Sequence, residues 1–563
     1  MLQAVISGTY QVSLQKPNDM LRRYFLLFTF YFFTAAGFAQ APLQGSSAKP
    51  KLVVGLVIDQ MRWDYLYRFN ALYGEGGFKR LLNAGFSAEN TFIPYVPTYT
   101  AVGHTCIYTG SVPAISGIVG NNWFDKTTGK NVYCTDDSTV STVGNTGKAG
   151  KMSPANLWVT TIADELRLSN NFKSKVIGIA LKDRGSILPA GHSANAAYWY
   201  DGGKWITSSH YMTALPAWVD QFNGKDLAGK YMSKDWATLL PMSSYDLSTA
   251  DDKPYESNIN GEKTVTFPHK LSLIPESIKY ESFRTTPFAN TFTFDFAKAA
   301  IENENLGKNT VTDFLAVSIS STDYIGHAFG PNSVEIEDTY LRLDKDIADF
   351  LTYLDTKLGK GNYTFFLSAD HAVAHIPAFL AEHNIPGGNF EDGDIKKELN
   401  HMIEASFGVA NMVQSLQNYQ VYLNCDELEK QGKDVAAVKK AIIKTLQAKP
   451  YIITAYETDK LAAVTLPEPQ KNMLANGYNS KRSGDIQFTL KPGYFDGGKK
   501  GTTHGLWNPY DAHIPCLFFG WGVKPGKTNR ETYMTDIAPT IAAMLHIQMP
   551  NGCVGKVITE LVK

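Results

Sequence analysis

Three aspartates and three histidines, Asp59, Asp323, His327, Asp370, His371 and His504, are the residues of this chain whose types and spacing suit metal chemistry. Asp323 and His327 stand four apart, Asp370 and His371 are adjacent, and His504 lies in the loop Lys500-Gly501-Thr502-Thr503-His504-Gly505. Zinc accepts both imidazole nitrogen and carboxylate oxygen, and a catalytic zinc site takes three protein ligands and keeps one position open. Six such residues make two sites of that kind. A nucleophile is available in Pro97-Thr98-Tyr99-Thr100. The small and apolar residues from Ala101 to Tyr108 predict a buried helix closed by Gly110, so Thr98 or Thr100 stands at a helix start, where an alkoxide or phosphoryl group is stabilised. Lys182 and Arg184 are two cations suited to such an anion. Asn121 and Asn122, after Gly117 and Gly120, have the composition of a turn.

These residues need elements to carry them. The run Lys51–Ile58, KLVVGLVI, has the unbroken apolar character of a strand buried on both faces of a parallel sheet. Asp59 follows its carboxyl end, where open α/β sheets hold ligands. Val176–Leu181, Phe314–Ser320, Tyr363–Leu367 and Ile514–Gly520 predict further strands. The first three deliver Lys182-Asp183-Arg184, Asp323 to His327, and Asp370-His371, the first of these groups as a loop. Helices are predicted over Ala155–Leu168, Val334–Leu358, Asp426–Ala448 and Ile537–Leu545. Alternating strands and helices argue for an α/β sandwich. Residues 195–290 and 380–500 lose clear periodicity and are expected to be insertions or cap elements.

The chain has 563 residues and a net charge of -1, which gives no support for a nucleic-acid or anionic-membrane partner. Arg22 and Arg23 precede the apolar run Tyr24–Phe33, and Gly37-Phe38-Ala39 has the small-x-small pattern of a cleavage site. Residues 1–39 are therefore expected to be a leader, with a signal peptide at 20–39 cut after Ala39 and no stable membrane insertion. Residues 40–563 are then the catalytic domain, in the periplasm or secreted. The five cysteines, Cys106, Cys134, Cys425, Cys516 and Cys553, show no CxxC spacing, and a cysteine metal site is not expected.

In this order, Val57-Ile58-Asp59-Gln60, Pro97-Thr98-Tyr99-Thr100, Gly120-Asn121, Lys182-Asp183-Arg184, Asp323-Tyr324-Ile325-Gly326-His327, Ala369-Asp370-His371 and Thr503-His504-Gly505 resemble the alkaline phosphatase superfamily. The resemblance covers roughly residues 50 to 560 and is closest to bacterial monoesterases with a threonine nucleophile. It implies a three-layer sandwich with a central, mostly parallel sheet and inserted cap elements. It also implies Thr100 as nucleophile and two Zn2+ per chain. One zinc would sit on Asp323, His327 and His504, the other on Asp59, Asp370, His371 and Thr100. Asn121, Lys182 and Arg184 would contact the phosphoryl oxygens. The implied function is an exported, monomeric alkaline phosphatase that hydrolyses small-molecule phosphate monoesters through a phospho-threonine.

The alternative is a phosphodiesterase or nucleotide pyrophosphatase of the same superfamily, which shares the threonine and both metal sites. Lys182 and Arg184 match the extra charge of a monoester dianion and so favour the monoesterase. An arylsulfatase would need Cys or Ser in a C/S-x-P-x-R context, and neither Cys106 nor Thr100 provides it. A secreted metal- or phosphate-binding protein without catalysis would not need the hydroxyl of Thr100.

Overall fold

The computed structural model describes residues 49–562. The expected leader, at 1–39, lies outside the described residues.

Leu52–Ile58 is fully buried and forms the middle of an eleven-stranded sheet. Tyr363–Ser368 and Asp313–Ile319 flank it, both parallel to it, with Val57 paired to Ser368 and Ile58 to Ile319. Val176–Ala180 runs parallel beside Asp313–Ile319, and Ala196–Asp201 parallel beside Val176–Ala180. The residues after these strands therefore gather along one edge, the carboxyl edge. Beyond Tyr363–Ser368 the direction reverses, because Cys516–Gly520 and then Phe86–Phe92 pair antiparallel. The sheet is mixed and mostly parallel in its central part. Helices Thr100–Thr109 and Asp183–Ala190 pack together over the sheet, and Phe288–Asn303, Ser321–Phe329 and Val334–Leu358 form a second helical group.

Several expected elements shift for local reasons. The helix expected over Ala155–Leu168 begins at Ile162, because Thr161 caps it and exchanges hydrogen bonds with Asp164. The helix expected over Asp426–Ala448 is two, Cys425–Lys430 and Val435–Gln447. Gly432 turns left-handed between them at φ 66°, and Asp434 caps the second. Lys182-Asp183-Arg184-Gly185, expected as a loop, opens the helix Asp183–Ala190. Pro189 near its end hides that helix from a reading of propensity.

The strands Ala196–Asp201 and Lys204–Ser208, at the start of the first non-periodic stretch, join the main sheet. In the second stretch, Val413–Gln417, Gln420–Leu423, Ile486–Leu490 and Ile452–Glu457 build a separate four-stranded sheet. That sheet has its own core, including Leu399, Val421, Ile442, Ile486 and Phe488.

Candidate active site

Four strand ends supply the site. Asp59 follows Leu52–Ile58 and is anchored by its backbone N–H to Ile319 O at 2.9 Å. Asp370 and His371 follow Tyr363–Ser368, and Lys182 follows Val176–Ala180. Asp323 and His327 sit one turn apart on the helix Ser321–Phe329, which starts where Asp313–Ile319 ends. His504 comes from the loop expected at 500–505.

The six ligand candidates fall into two groups, Asp323 with His327 and His504, and Asp59 with Asp370 and His371. Within each group the donor atoms lie within 4.8 Å of one another. Each histidine is fixed by a backbone carbonyl opposite Nδ1. His327 meets Thr502 O at 2.7 Å, His504 meets Thr98 O at 2.7 Å, and His371 meets Ala372 O at 3.0 Å. A carbonyl can only accept, so Nδ1 carries the proton and Nε2 presents its lone pair to the cluster. Asp59 Oδ1 and Asp370 Oδ2 are buried without a hydrogen bond. Buried carboxylate oxygens left open in this way, among neutral imidazoles, fit a pair of metal ions.

The charges confirm how crowded the site is. Burial drives the Asp59 carboxyl well above the usual carboxylate range, and Asp323 and Asp370 push it further. Burial acts on Asp323 too, but His327 and Lys182 outweigh it and hold that carboxyl well below its ordinary value. Asp370 is held low against burial by His371 and His104. Burial lowers His371, and lowers His504 strongly with help from His371 and His327, so both imidazoles are neutral near pH 7. His327 rises because Asp323 overcomes its burial. The Lys182 ammonium bridges the two groups, 2.6 Å from Asp59 Oδ2 and 2.5 Å from Asp323 Oδ2. Burial acts to lower its pKa, and these two carboxylates outweigh burial and raise it above the ordinary value.

The two threonines separate cleanly. Thr98 Oγ1 donates to Leu506 O at 3.0 Å and accepts from Gly505 N at 3.0 Å, so its hydroxyl is spent on the His504 loop. Thr100 Oγ1 lies 3.3 Å from His371 Nε2, beside the second group. Thr100 is the first residue of its helix, and Asn121 Oδ1 accepts the N–H of Ala101 at 2.9 Å. Gly110 ends that helix in the left-handed region, φ 63°, as expected. The guanidinium of Arg184 donates to Tyr133 Oη at 3.0 Å, and its buried Nε has no partner among the described residues.

Sequence reasoning missed three supports. His104 is fully buried, with Nδ1 2.9 Å from Thr100 O and 3.3 Å from Asp370 Oδ2, and Nε2 2.8 Å from Ser318 Oγ. Its position one turn after Thr100 was the available signal. Gln60 adopts a left-handed φ of 67°, donates its side-chain amide to Asp323 Oδ1 at 2.7 Å and its backbone N–H to Asp370 Oδ1 at 3.2 Å. The ring of Tyr324 lies under the Lys182 ammonium, centroid at 5.0 Å.

With this geometry in place, similarity decides the family. The family model for type I phosphodiesterase / nucleotide pyrophosphatase matches residues 53–513. A crystal structure of wild-type alkaline phosphatase PafA superposes with a TM-score of 0.90 at 51% identity, covering 92% of this chain and all of that one. The chain belongs to the alkaline phosphatase superfamily, among the PafA-type bacterial enzymes. Alkaline phosphatase PafA of Elizabethkingia meningoseptica is 50% identical over 531 residues, 94% of this chain and 97% of that protein. Alkaline phosphatase PhoV of Synechococcus elongatus is 55% identical over 518 residues, 92% and 94% of the two chains. A Myroides odoratus protein named calcium-transporting ATPase is 57% identical over 538 residues, 94% and 97%. Among the described residues, no helix is long and apolar enough to cross a membrane. The mixed sheet and the placement of its helices agree with the PafA-type fold.

Proposed function

We propose that this phosphoric monoester hydrolase is an exported alkaline phosphatase that acts on small phosphate monoesters through phospho-Thr100. The observation that carries the reading is a pair of three-ligand groups bridged by Lys182, with Thr100 Oγ1 3.3 Å from His371 of the second group, at the start of a buried helix. Two Zn2+ ions, one held by Asp323, His327 and His504 and one by Asp59, Asp370, His371 and Thr100, would supply charge stabilisation for the attacking and departing oxygens. The mixed imidazole and carboxylate donor set favours zinc over harder cations.

The chain's own residues then have distinct tasks. Thr100 Oγ1 forms a bond to phosphorus as the ester oxygen departs and takes up a proton, leaving as the alcohol. Water next attacks phosphorus, Thr100 Oγ1 leaves and is reprotonated, and inorganic phosphate is released. Two in-line displacements give net retention at phosphorus. The positive end of the Thr100–Thr109 helix favours the alkoxide and the attached phosphoryl group. Asn121, Lys182 and Arg184 meet the charge that develops on the phosphoryl oxygens. The unpartnered Nε of Arg184 supports an anion there.

The chain acts as a monomer in the periplasm or outside the cell, with a mature N-terminus near Gln40. Steady-state kcat/KM for an aryl phosphate and its methyl diester tests the substrate class. Clear preference for the monoester is expected, and preference for the diester would make this a phosphodiesterase of the superfamily instead.

A further inference from the structure

The separate four-stranded sheet is remote in sequence from the Thr100 helix, yet its tightest turn lands beside that helix. Val413–Gln417 and Gln420–Leu423 pair antiparallel with Gln417 opposite Gln420, leaving Asn418 and Tyr419 as the two turn residues. Both are left-handed, at φ 57° and 59°. Two-residue turns of this shape follow the twist of the strands, and glycine is the usual second residue. A tyrosine in that place carries backbone strain that the surroundings must hold.

Both side chains grip the nucleophile region. Asn418 Nδ2 donates to Asn122 O at 2.8 Å. A Cβ on Gly120 would stand 2.7 Å from that same nitrogen, so the 120–122 segment lies flush against the Asn418 amide. Asn121 is the residue between, and it is the one that accepts the Ala101 N–H. Tyr419 turns the other way. It is 3% exposed, packs edge-on to Phe488 at 6.0 Å, and brings its phenol to that of Tyr99, the residue before Thr100. Its carbonyl accepts from Phe488 N at 3.1 Å and Gln487 Nε2 at 2.9 Å, which ties the strained residue to the sheet's own core.

The geometry points to the Asn418–Tyr419 turn as a positioning element that fixes Asn121 and the start of the Thr100 helix for phosphoryl transfer. The inference rests on the roles proposed above for Asn121 and Thr100. Asn418 touches no reacting atom; it acts through the backbone of Asn121 and Asn122. Its removal should therefore matter only while the Asn121 amide is there to be aimed.

The test is a double-mutant cycle on the metal-loaded enzyme, with kcat/KM for an aryl phosphate and the melting temperature read together. Asn418→Gly permits the same left-handed backbone and removes the side chain with its amide. It should lower kcat/KM about two- to tenfold, the range expected for one lost hydrogen bond. In an Asn121→Ala background the same change should have almost no effect on kcat/KM. An equal factor in both backgrounds, or a fall in melting temperature with kcat/KM unchanged, would overturn the inference and leave the proposed function standing. An Asn121→Ala enzyme as active as its parent would remove the role of Asn121 itself, and this inference with it.

Discussion

Gly103 and Asp370 are in backbone contact: a Cβ on Gly103 would stand 2.6 Å from the Asp370 Cα and collide with its carbonyl oxygen. The Thr100 helix is thereby seated directly on the segment that carries two ligand candidates. Only a residue without a side chain permits that approach.

Gly103→Ala should push the helix away from Asp370. Overpacking of this kind costs about 1–3 kcal/mol of stability. The activity loss should be larger than the stability loss implies, because the Thr100 hydroxyl moves off the ligand group. Thermal melts and kcat/KM on the same preparation check this. Unchanged activity would show that the contact is not required.

Thr100→Ala should fold, retain metal and lose most of its turnover and all covalent phosphate trapped on acid quench. Thr98→Val should behave differently. It leaves Gly505 N and Leu506 O without a partner, at about 1–3 kcal/mol, and should lower the melting temperature while keeping a phosphorylatable enzyme. A Thr98→Val enzyme that fails to take up phosphate, beside an active Thr100→Ala, would reverse the assignment.

Metal analysis of the active enzyme should find two zinc ions per chain. Strong chelation should abolish turnover and added zinc should restore it. His504→Ala should reduce the content to one ion. Full activity in metal-free protein would end the two-metal reading.

Lys182→Ala with Arg184→Ala should depress kcat/KM for an aryl phosphate far more than for its methyl diester. Each charge-assisted contact is worth roughly 1.5–3 kcal/mol, or about one to two decades in rate. Equal losses on both substrates would mean that these cations do not select the monoester.

His269 gives a prediction for stability against pH. Its imidazole is buried between Glu262, 2.8 Å away, and Glu335, 3.3 Å away. Burial lowers its pKa, but the two carboxylates outweigh burial and push it up to about 9. A histidine whose folded pKa is raised contributes stability fully below its unfolded pKa of about 6.5 and loses it as pH rises through the folded value. The window is therefore pH 6.5 to 9, and the loss is roughly 1–3 kcal/mol. Glu256, pushed up to about 10 by burial and Glu335, drives stability in the same direction, so the comparison must be with His269→Gln. That variant should flatten the slope of denaturation midpoint against pH across this window. An unchanged slope would mean that His269 does not titrate there.

All the ligand candidates but His504, which lies in a Gly/Thr loop, were legible because they follow a buried apolar run. A parallel sheet brings such ends to one edge whatever the loops do. Asp59, Asp370 and Lys182 follow directly from Leu52–Ile58, Tyr363–Ser368 and Val176–Ala180. The choice between Thr98 and Thr100 was not open to local reading, since both precede the same helix. It turns on which hydroxyl the His504 loop captures, a contact across 408 positions. Gln60 and His104 were missed for a related reason. A glutamine after a strand and a histidine within a helix look ordinary until Asp323 and Asp370 are folded against them. The Asn418–Tyr419 turn was hidden further, because tyrosine at a glycine position argues against that turn type.

The three histidines of the two candidate groups all set their tautomer against main-chain carbonyls, those of Thr98, Ala372 and Thr502. No substitution can delete a carbonyl. A mutation at position 372 or 502 can alter how well the chain packs, but it leaves in place the group that orients the imidazole. The histidine tautomers are thus written into the path of the backbone. Thr98 and Thr502 also bond through their own hydroxyls, yet the proton on each imidazole is placed by the carbonyl and not by the side chain.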